Sequence, residues 1–424
     1  MIHCKLLALP LVLLALSCAP ARRATPWQDV REVTPSFLAA ATDPSLALDE
    51  RGRVALTWVH RDSSGADVWL AVSADSGAHW TAPARVNTAP GRVSSYPESR
   101  PALTWGRDGL LAVAWAAKRD SGELADDVAV RVSADGGRSW GPVSLVNGDQ
   151  VDPSSGYHGF IALDVLPDGR PMVAWIDGRA SAGLEPEPSR AEIYATSSSD
   201  GGLHWSRETW VAGDVCPCCR ISLASAPGDS GRIDVAVAYR GAARDLRDPR
   251  LAISADAGAT FTLDTLVSAD RWKLPGCPSV GPALTMDSRG GHVAWFTGES
   301  PADDTLRGRP APGVYMTRWR TDAGAVGVKR ALGDSLERAT HPMLARLGHG
   351  VLVGSIGRAA MPPAHQVLAV RLREPNGALS PWLYLGSGVK SAALAGQGDH
   401  RAWAAWTEGA DGATRVRVAR LTVR

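Results

Sequence analysis

The residue types best suited to chemistry gather at Cys216-Pro217-Cys218-Cys219-Arg220, with a fourth thiol, Cys277, in Gly276-Cys277-Pro278. Three chemistries are open to such a set. Two disulfides, one necessarily involving Cys277, would staple the two segments, because Cys218 and Cys219 are neighbours and a vicinal bridge needs a strained peptide. A soft-metal thiolate site, for copper or zinc, would use the same sulfurs with His158 or His341 joining. A redox role is the third, and Arg220 would lower the pKa of a nearby thiol. The spacing is not that of a zinc ribbon, which wants two C-x-x-C pairs, so no one metal is specified.

Those segments must be brought together by the elements around them, and the chain repeats. Ser73-Ala-Asp75-Ser-Gly77-Ala-His-Trp80 recurs as Ser133-Ala-Asp135-Gly-Gly137-Arg-Ser-Trp140, Ser198-Ser-Asp200-Gly-Gly202-Leu-His-Trp205 and Ser254-Ala-Asp256-Ala-Gly258-Ala-Thr-Phe261. The aspartates are spaced by 60, 65 and 56 residues, a repeat-architecture period. Ser and Asp side chains accept turn N–H groups, Gly supplies a positive φ, and the aromatic packs between sheets. Short apolar strands surround each copy. The second strand of the unit recurs seven times, from Arg53-Val-Ala-Leu-Thr-Trp58 through Leu111–Trp115, Met172–Trp175, Val235–Tyr239, His292–Trp295 and Leu352–Ile356 to Trp403–Trp406. Seven units of four strands joined by tight turns predict an all-β propeller. The seventh unit ends without a fourth strand after Thr414–Val423, and Pro26–Val33 reads as an orphan strand that would close the ring and remove both open edges. A six-bladed ring is the alternative.

The S-x-D-x-G-x-x-W pattern resembles the Asp-box of sialidases and other BNR-repeat proteins. The resemblance covers nearly all of residues 26–424 as architecture, and in that family the box is structural, so Asp75, Asp135, Asp200 and Asp256 are assigned stability and no catalysis. Catalytic sialidases have six blades, and the resemblance would make the chain an exo-acting glycosidase of the exo-alpha-sialidase type. Such enzymes bind a carboxylate with three arginines and use a tyrosine activated by glutamate, with an aspartate as acid/base. Arg100-Pro101-Ala102-Leu103 is similar to their opening arginine motif but stands in blade two. Ala174-Trp-Ile-Asp177-Gly-Arg179 resembles a strand end of theirs, in blade three. Arg100, Arg179, Asp177 and Tyr157 are the candidate catalytic residues on that analogy. The Cys-x-Cys-Cys motif, followed later by Gly-Cys-Pro, is similar to one in exported sialidase-like proteins, which adds no activity.

In a propeller the lead-ins to the innermost strands crowd the axis on one face. Aligning the seven gives Asp43, Arg100, His158, Cys219, Gly281, His341 and Lys390. Adjacent blades would place the Cys216–Cys219 and Cys277 segments together there. Arg100, His158, Arg220 and His341 form the candidate binding set, for a glycan, a protein or a soft metal. The long loops Lys118–Asp127, Asp177–Arg190, Arg240–Arg250 and Thr297–Pro312 read either as a binding rim or as ordinary surface.

The remaining readings concern compartment and partners. Met1–Lys5 is a short basic start, and Leu6–Leu16 is apolar apart from Pro10. That is too short to span a membrane and suits a signal-peptide core, residues 1–17. Ser17-Cys18 resembles the lipobox of bacterial lipoproteins, which makes Cys18 the lipidation site and residues 18–25 an anchor and linker. Cleavage after Ala21 would instead leave a soluble exported protein. The reading is an outer-membrane or periplasmic lipoprotein, monomeric, touching the membrane through its anchor alone. With 45 Lys+Arg against 44 Asp+Glu, no nucleic-acid footprint exists. Charged residues at 21% and hydrophobic ones at 45% exclude a disordered chain.

Overall fold

Alternating apolar residues and turn signals produce short antiparallel strands, and these assemble as seven sheets in a ring. The computed structural model describes residues 25–120, 125–150, 156–181, 191–300, 310–321, 326–333, 335–359, 365–409 and 413–424. The signal and lipidation readings, Cys18 included, lie outside them, as do parts of three of the four long loops. Among the described residues no helix is long and apolar enough to cross a membrane.

Each blade is a meander from the axis outward. Blade one runs Ala41–Leu48, Val54–Asp62, Gly65–Ser73 and Ala84–Arg85. Blades three and four repeat this from His158–Val165 to Thr209–Val215 and from Ser222–Pro227 to Leu263–Leu266. Blade two adds a short strand, Val93–Ser94, beside its second strand. Blade seven joins the two ends of the chain. Trp27–Glu32 pairs antiparallel with Arg415–Val423; Trp27 stands opposite Val423, and after a one-residue slip the register runs from Asp29 opposite Thr422 to Glu32 opposite Ala419. Seven blades, and not six, close the ring.

Hydrophobic cores form between successive blades. Leu56, Trp58 and Ala71 of blade one pack with Trp403, Ala405 and Val418 of blade seven. The four S-x-D-x-G turns sit at these seams. In the first, the Gly77 N–H donates to Ser73 Oγ at 2.9 Å and the His79 N–H to Asp75 Oδ1 at 2.8 Å. The turns at Ser133, Ser198 and Ser254 repeat both bonds within 0.1 Å. The His79 N–H, then its side chain, hold the Asp75 carboxyl down at about 2.

Three innermost strands begin with a bulge that decides what faces the axis. Pairing slips between Thr42 and Ser45, between Gly159 and Ala162, and between Thr340 and Met343. Asp43, Phe160 and His341 occupy the left-handed region there, with φ of 52°, 53° and 51°. Bulges of this kind re-aim side chains next to sites.

Candidate functional site

On the lead-in face, residues from all seven blades enclose an axial cavity of about 220 Å³. Its depth is apolar, with Leu103, Ile161, Leu284, Met343 and Leu394. Its charged lining is Glu98, Arg100, Arg220, His341 and Lys390. Arg100 Nη1 donates to the Ala392 carbonyl of blade seven at 2.7 Å, which fixes one edge of its guanidinium. Burial, and then Arg220 close by, weaken its hold on its proton, while Glu98 and Asp43 act the other way. Arg220 Nη2 donates to Glu98 Oε1 at 3.3 Å, and the Gly281 N–H donates to Glu98 Oε2 at 3.3 Å. At Gly281 a Cβ would overlap the Arg220 carbonyl, so only glycine lets the lead-ins of blades four and five touch. His341 Nε2 lies 3.7 Å from Glu98 Oε1. Burial lowers the His341 pKa, Arg220 and Arg100 add to that, and only Glu98 opposes them, so the imidazole is neutral near pH 7. Two guanidiniums, of Arg100 and Arg220, face the one carboxylate of Glu98. The cavity therefore holds a surplus of positive charge over an apolar floor, which suits a small carboxylate-bearing ligand.

Arg100, Arg220, His341, Gly281 and Lys390 thus meet at the axis. His158, Cys219 and Asp43 do not line the cavity. In blade three the bulge at Phe160 turns Ile161 toward the axis, and His158 points outward into the seam with blade two. There its Nε2 lies 3.1 Å from Asp149 Oδ2 and 3.2 Å from Asp177 Oδ2, while Nδ1 is 2.6 Å from the Asp126 carbonyl. Burial alone would depress this imidazole, but the hydrogen bonds to Asp149 and then Asp177 prevail and raise its pKa to about 9. Arg179 pairs with Asp177 and with Glu208 in the same network and stacks 4.3 Å over Tyr194. Asp177, Arg179 and His158 form a buried ion cluster whose charges answer one another. Tyr157 donates to the Pro217 carbonyl at 2.9 Å. Neither it nor any other tyrosine lines the cavity. The one tyrosine–glutamate bond among the described residues, Tyr194 to Glu192 at 3.0 Å, lies away from it.

Glu98 was not among the residues singled out from the sequence. It stands two positions before Arg100 in the same lead-in, and one axial position per blade was too coarse to find it. Asp149 and Glu208 carry no motif, since blade packing alone brings Asp149 to His158 and Glu208 to Arg179.

The four thiols converge beside this face. Cys218 and Cys277 are joined as a disulfide with Cα atoms 6.1 Å apart, tying the lead-ins of blades four and five. Cys216 and Cys219 are free and buried, with their sulfurs 3.1 Å apart. The sulfurs of Cys216, Cys218 and Cys219 lie within 4.8 Å of one another, a span that three thiolates on one soft ion would need, but Cys218 is already bonded. Around them the Arg240–Arg250 loop is ordered. Arg240 is fully buried, stacks 5.0 Å from Trp272, and donates to the carbonyls of Val280, Arg247 and Phe296.

No protein-family model matches the chain, and no curated protein matches it in sequence. Solved structures share its fold. A protein of unknown function from Dyadobacter fermentans is 16% identical at a TM-score of 0.54, over 94% of this chain and 99% of that one. Polysaccharide lyase Uly1 is 11% identical at 0.53, over 91% and 90%. A mutant Trypanosoma rangeli sialidase displaying trans-sialidase activity is 12% identical at 0.50, over 90% of this chain and 54% of that one. At these identities the likeness is one of fold.

Proposed function

We propose that the chain is an exported, sialidase-like propeller that binds the acidic end of a glycan in its axial cavity, as a surface or periplasmic lipoprotein. One observation carries the reading: the guanidiniums of Arg100 and Arg220 meet a single carboxylate, Glu98, in a cavity that every blade helps to line. A carboxylate between the two guanidiniums would gain charge-assisted hydrogen bonds, and the apolar floor would take the ring. The S-x-D-x-G turns, read as Asp-boxes, hold the frame and do no chemistry. The hydrolytic alternative of the sialidase class needs three arginines and a tyrosine–glutamate pair at one point, and the cavity brings together neither.

Calorimetric titration with N-acetylneuraminate, glucuronate and glucose tests the proposal. The two acids should bind and glucose should not. Arg100→Ala should weaken the acids by about 10- to 100-fold, the worth of one charged hydrogen bond. Equal binding of glucose, or no binding of either acid at millimolar concentration, would sink it.

A further inference from the structure

Cys216-Pro217-Cys218-Cys219 contains a C-x-x-C pair, Cys216 and Cys219, with a third cysteine inside it. A single staple between blades needs only Cys218 and Cys277. The other two thiols are left in contact at 3.1 Å, both buried, and Cys216 Sγ is also 3.8 Å from Cys218 Sγ. Cys277 at the far end of the disulfide is exposed, beside Ser279. A dithiol that solvent cannot reach therefore touches a disulfide that solvent can.

We propose that Cys216 and Cys219 are a redox-active dithiol whose electrons reach outside disulfides through the Cys218–Cys277 bond. In the first step the Cys216 thiolate attacks Cys218 Sγ; a Cys216–Cys218 bond forms, and Cys277 leaves as an exposed thiolate. In the second, Cys219 attacks Cys216 Sγ, its proton passes to the departing Cys218 sulfur, and Cys218 is released as a thiol. The dithiol is now a buried disulfide and the Cys218–Cys277 disulfide a dithiol, with no net change in electrons. An outside disulfide then accepts the two electrons. The Cys277 thiolate displaces one of its halves, and Cys218 attacks Cys277 Sγ to displace the other and restore the original bridge. The relay consumes one external disulfide and yields two external thiols.

The surroundings favour the first step. Arg240 is a buried cation that bonds only backbone carbonyls, and neither it nor its neighbours leave a carboxylate within ion-pair distance of it among the described residues. The two thiols are also unequal. The hydrogen bond from Cys219 brings Cys216 down to about 7, whereas burial pushes Cys219 up. A nucleophile that ionises first beside a partner that keeps its proton is the working asymmetry of a C-x-x-C pair. Tyr157 and the Arg240–Arg250 loop hold the turn from opposite sides, through the Pro217 carbonyl and through the Cys216 N–H donated to the Arg240 carbonyl at 2.8 Å.

The test follows each cysteine by peptide mapping in the native, full-length protein. With 5,5′-dithiobis(2-nitrobenzoate) as the external disulfide, two thiolates of the probe should appear per chain without denaturant, and the product should contain both Cys216–Cys219 and Cys218–Cys277. In the variant C218S/C277S the dithiol loses its exit, and its reaction should slow at least 10-fold. Reaction of that variant at the parent rate would mean that the buried pair is attacked directly, and the relay fails. An unreactive parent protein overturns the proposal as well. If the variant does not fold, the parent decides alone: iodoacetamide should label Cys277 in chains that carry Cys216 in a disulfide with Cys218 or Cys219. Label on Cys216 or Cys219 with Cys218–Cys277 intact, or no label on Cys277, would overturn it.

Discussion

At the scale of residues, His158 is a cation held between two acids in the seam of blades two and three. Its pKa rises from 6.5 to about 9 on folding, and those of Asp149 and Asp177 fall below 3.8. The signs differ. The histidine's contribution to stability is complete below about pH 6.5 and is lost as pH climbs through 9; that of the aspartates is complete above about pH 4 and is lost on acidification. The cluster is therefore most stabilising between about pH 4 and 6.5. Raising the pH from 6 to 9.5 should lower the parent's thermal midpoint more than that of His158→Gln. Parallel midpoints across that range would refute the charged histidine. How a residue reads from sequence depends on the same local detail. Arg100 and His341 were legible as aligned positions of the repeat, and Arg220 as the charged neighbour of Cys219, the position aligned in its blade. His158 was misplaced because the bulge that holds His341 in blade six falls on Phe160 in blade three, so the counterpart of His341 is Phe160 and His158 lies two residues short of it. No residue pattern announces such a bulge, since φ above zero at phenylalanine runs against ordinary preference.

At the scale of elements, the repeated turn is a spacer between blades as well as a hairpin. Gly202 has φ 94°, and a Cβ there would run into Val132 of blade two; Gly258 stands in the same way against Met172 of blade three. Gly201, its neighbour, has φ 75° and nothing within 4 Å. Gly201→Ala should cost about 1 kcal/mol for the left-handed backbone alone. Gly202→Ala should cost about 2–4 kcal/mol, since the blade seam must also give way. Urea unfolding of the two variants checks this, and equal midpoints would show that the turn does not set the seam. Blade six has no S-x-D-x-G turn; its hairpin closes at Glu374 and Ala378. A second cavity of about 590 Å³ opens between blades five and six, lined by Arg289, His292, Arg318, Arg346 and Arg373. Burial, then Arg373 and Arg318, drive the His292 pKa down to about 4. The sequence showed the four turns and the seven second strands because hydrogen bonding and alternation force them on local residue types. The contents of the seams depend on distant partners and were not legible.

At the scale of the molecule, the ring is held shut by two strands from opposite ends of the chain. Val418 donates its N–H to Thr34 Oγ1 at 2.9 Å across 384 positions, and the Arg424 N–H reaches the Pro26 carbonyl at 3.0 Å. The seal was readable because strand Arg415–Val423 otherwise has a bare edge and Trp27–Glu32 has no blade of its own. Its consequence is one of time. Among the described residues every other strand pair joins segments close in sequence, hairpin neighbours apart from Val93–Ser94 beside Ala116 and Ala117, so it can form as soon as its own residues collapse. The seal alone must wait until seven sheets have curved far enough for the two ends to meet, and long-range pairing of this kind slows folding. A circular permutant that links 424 to 25 through a short glycine-rich segment, with new ends in the hairpin at Arg107–Gly109, turns that slowest meeting into a local one. It should refold faster than the parent by stopped-flow fluorescence while unfolding at a similar rate, because the native contacts are unchanged. Equal refolding rates would place the slow step elsewhere in the ring.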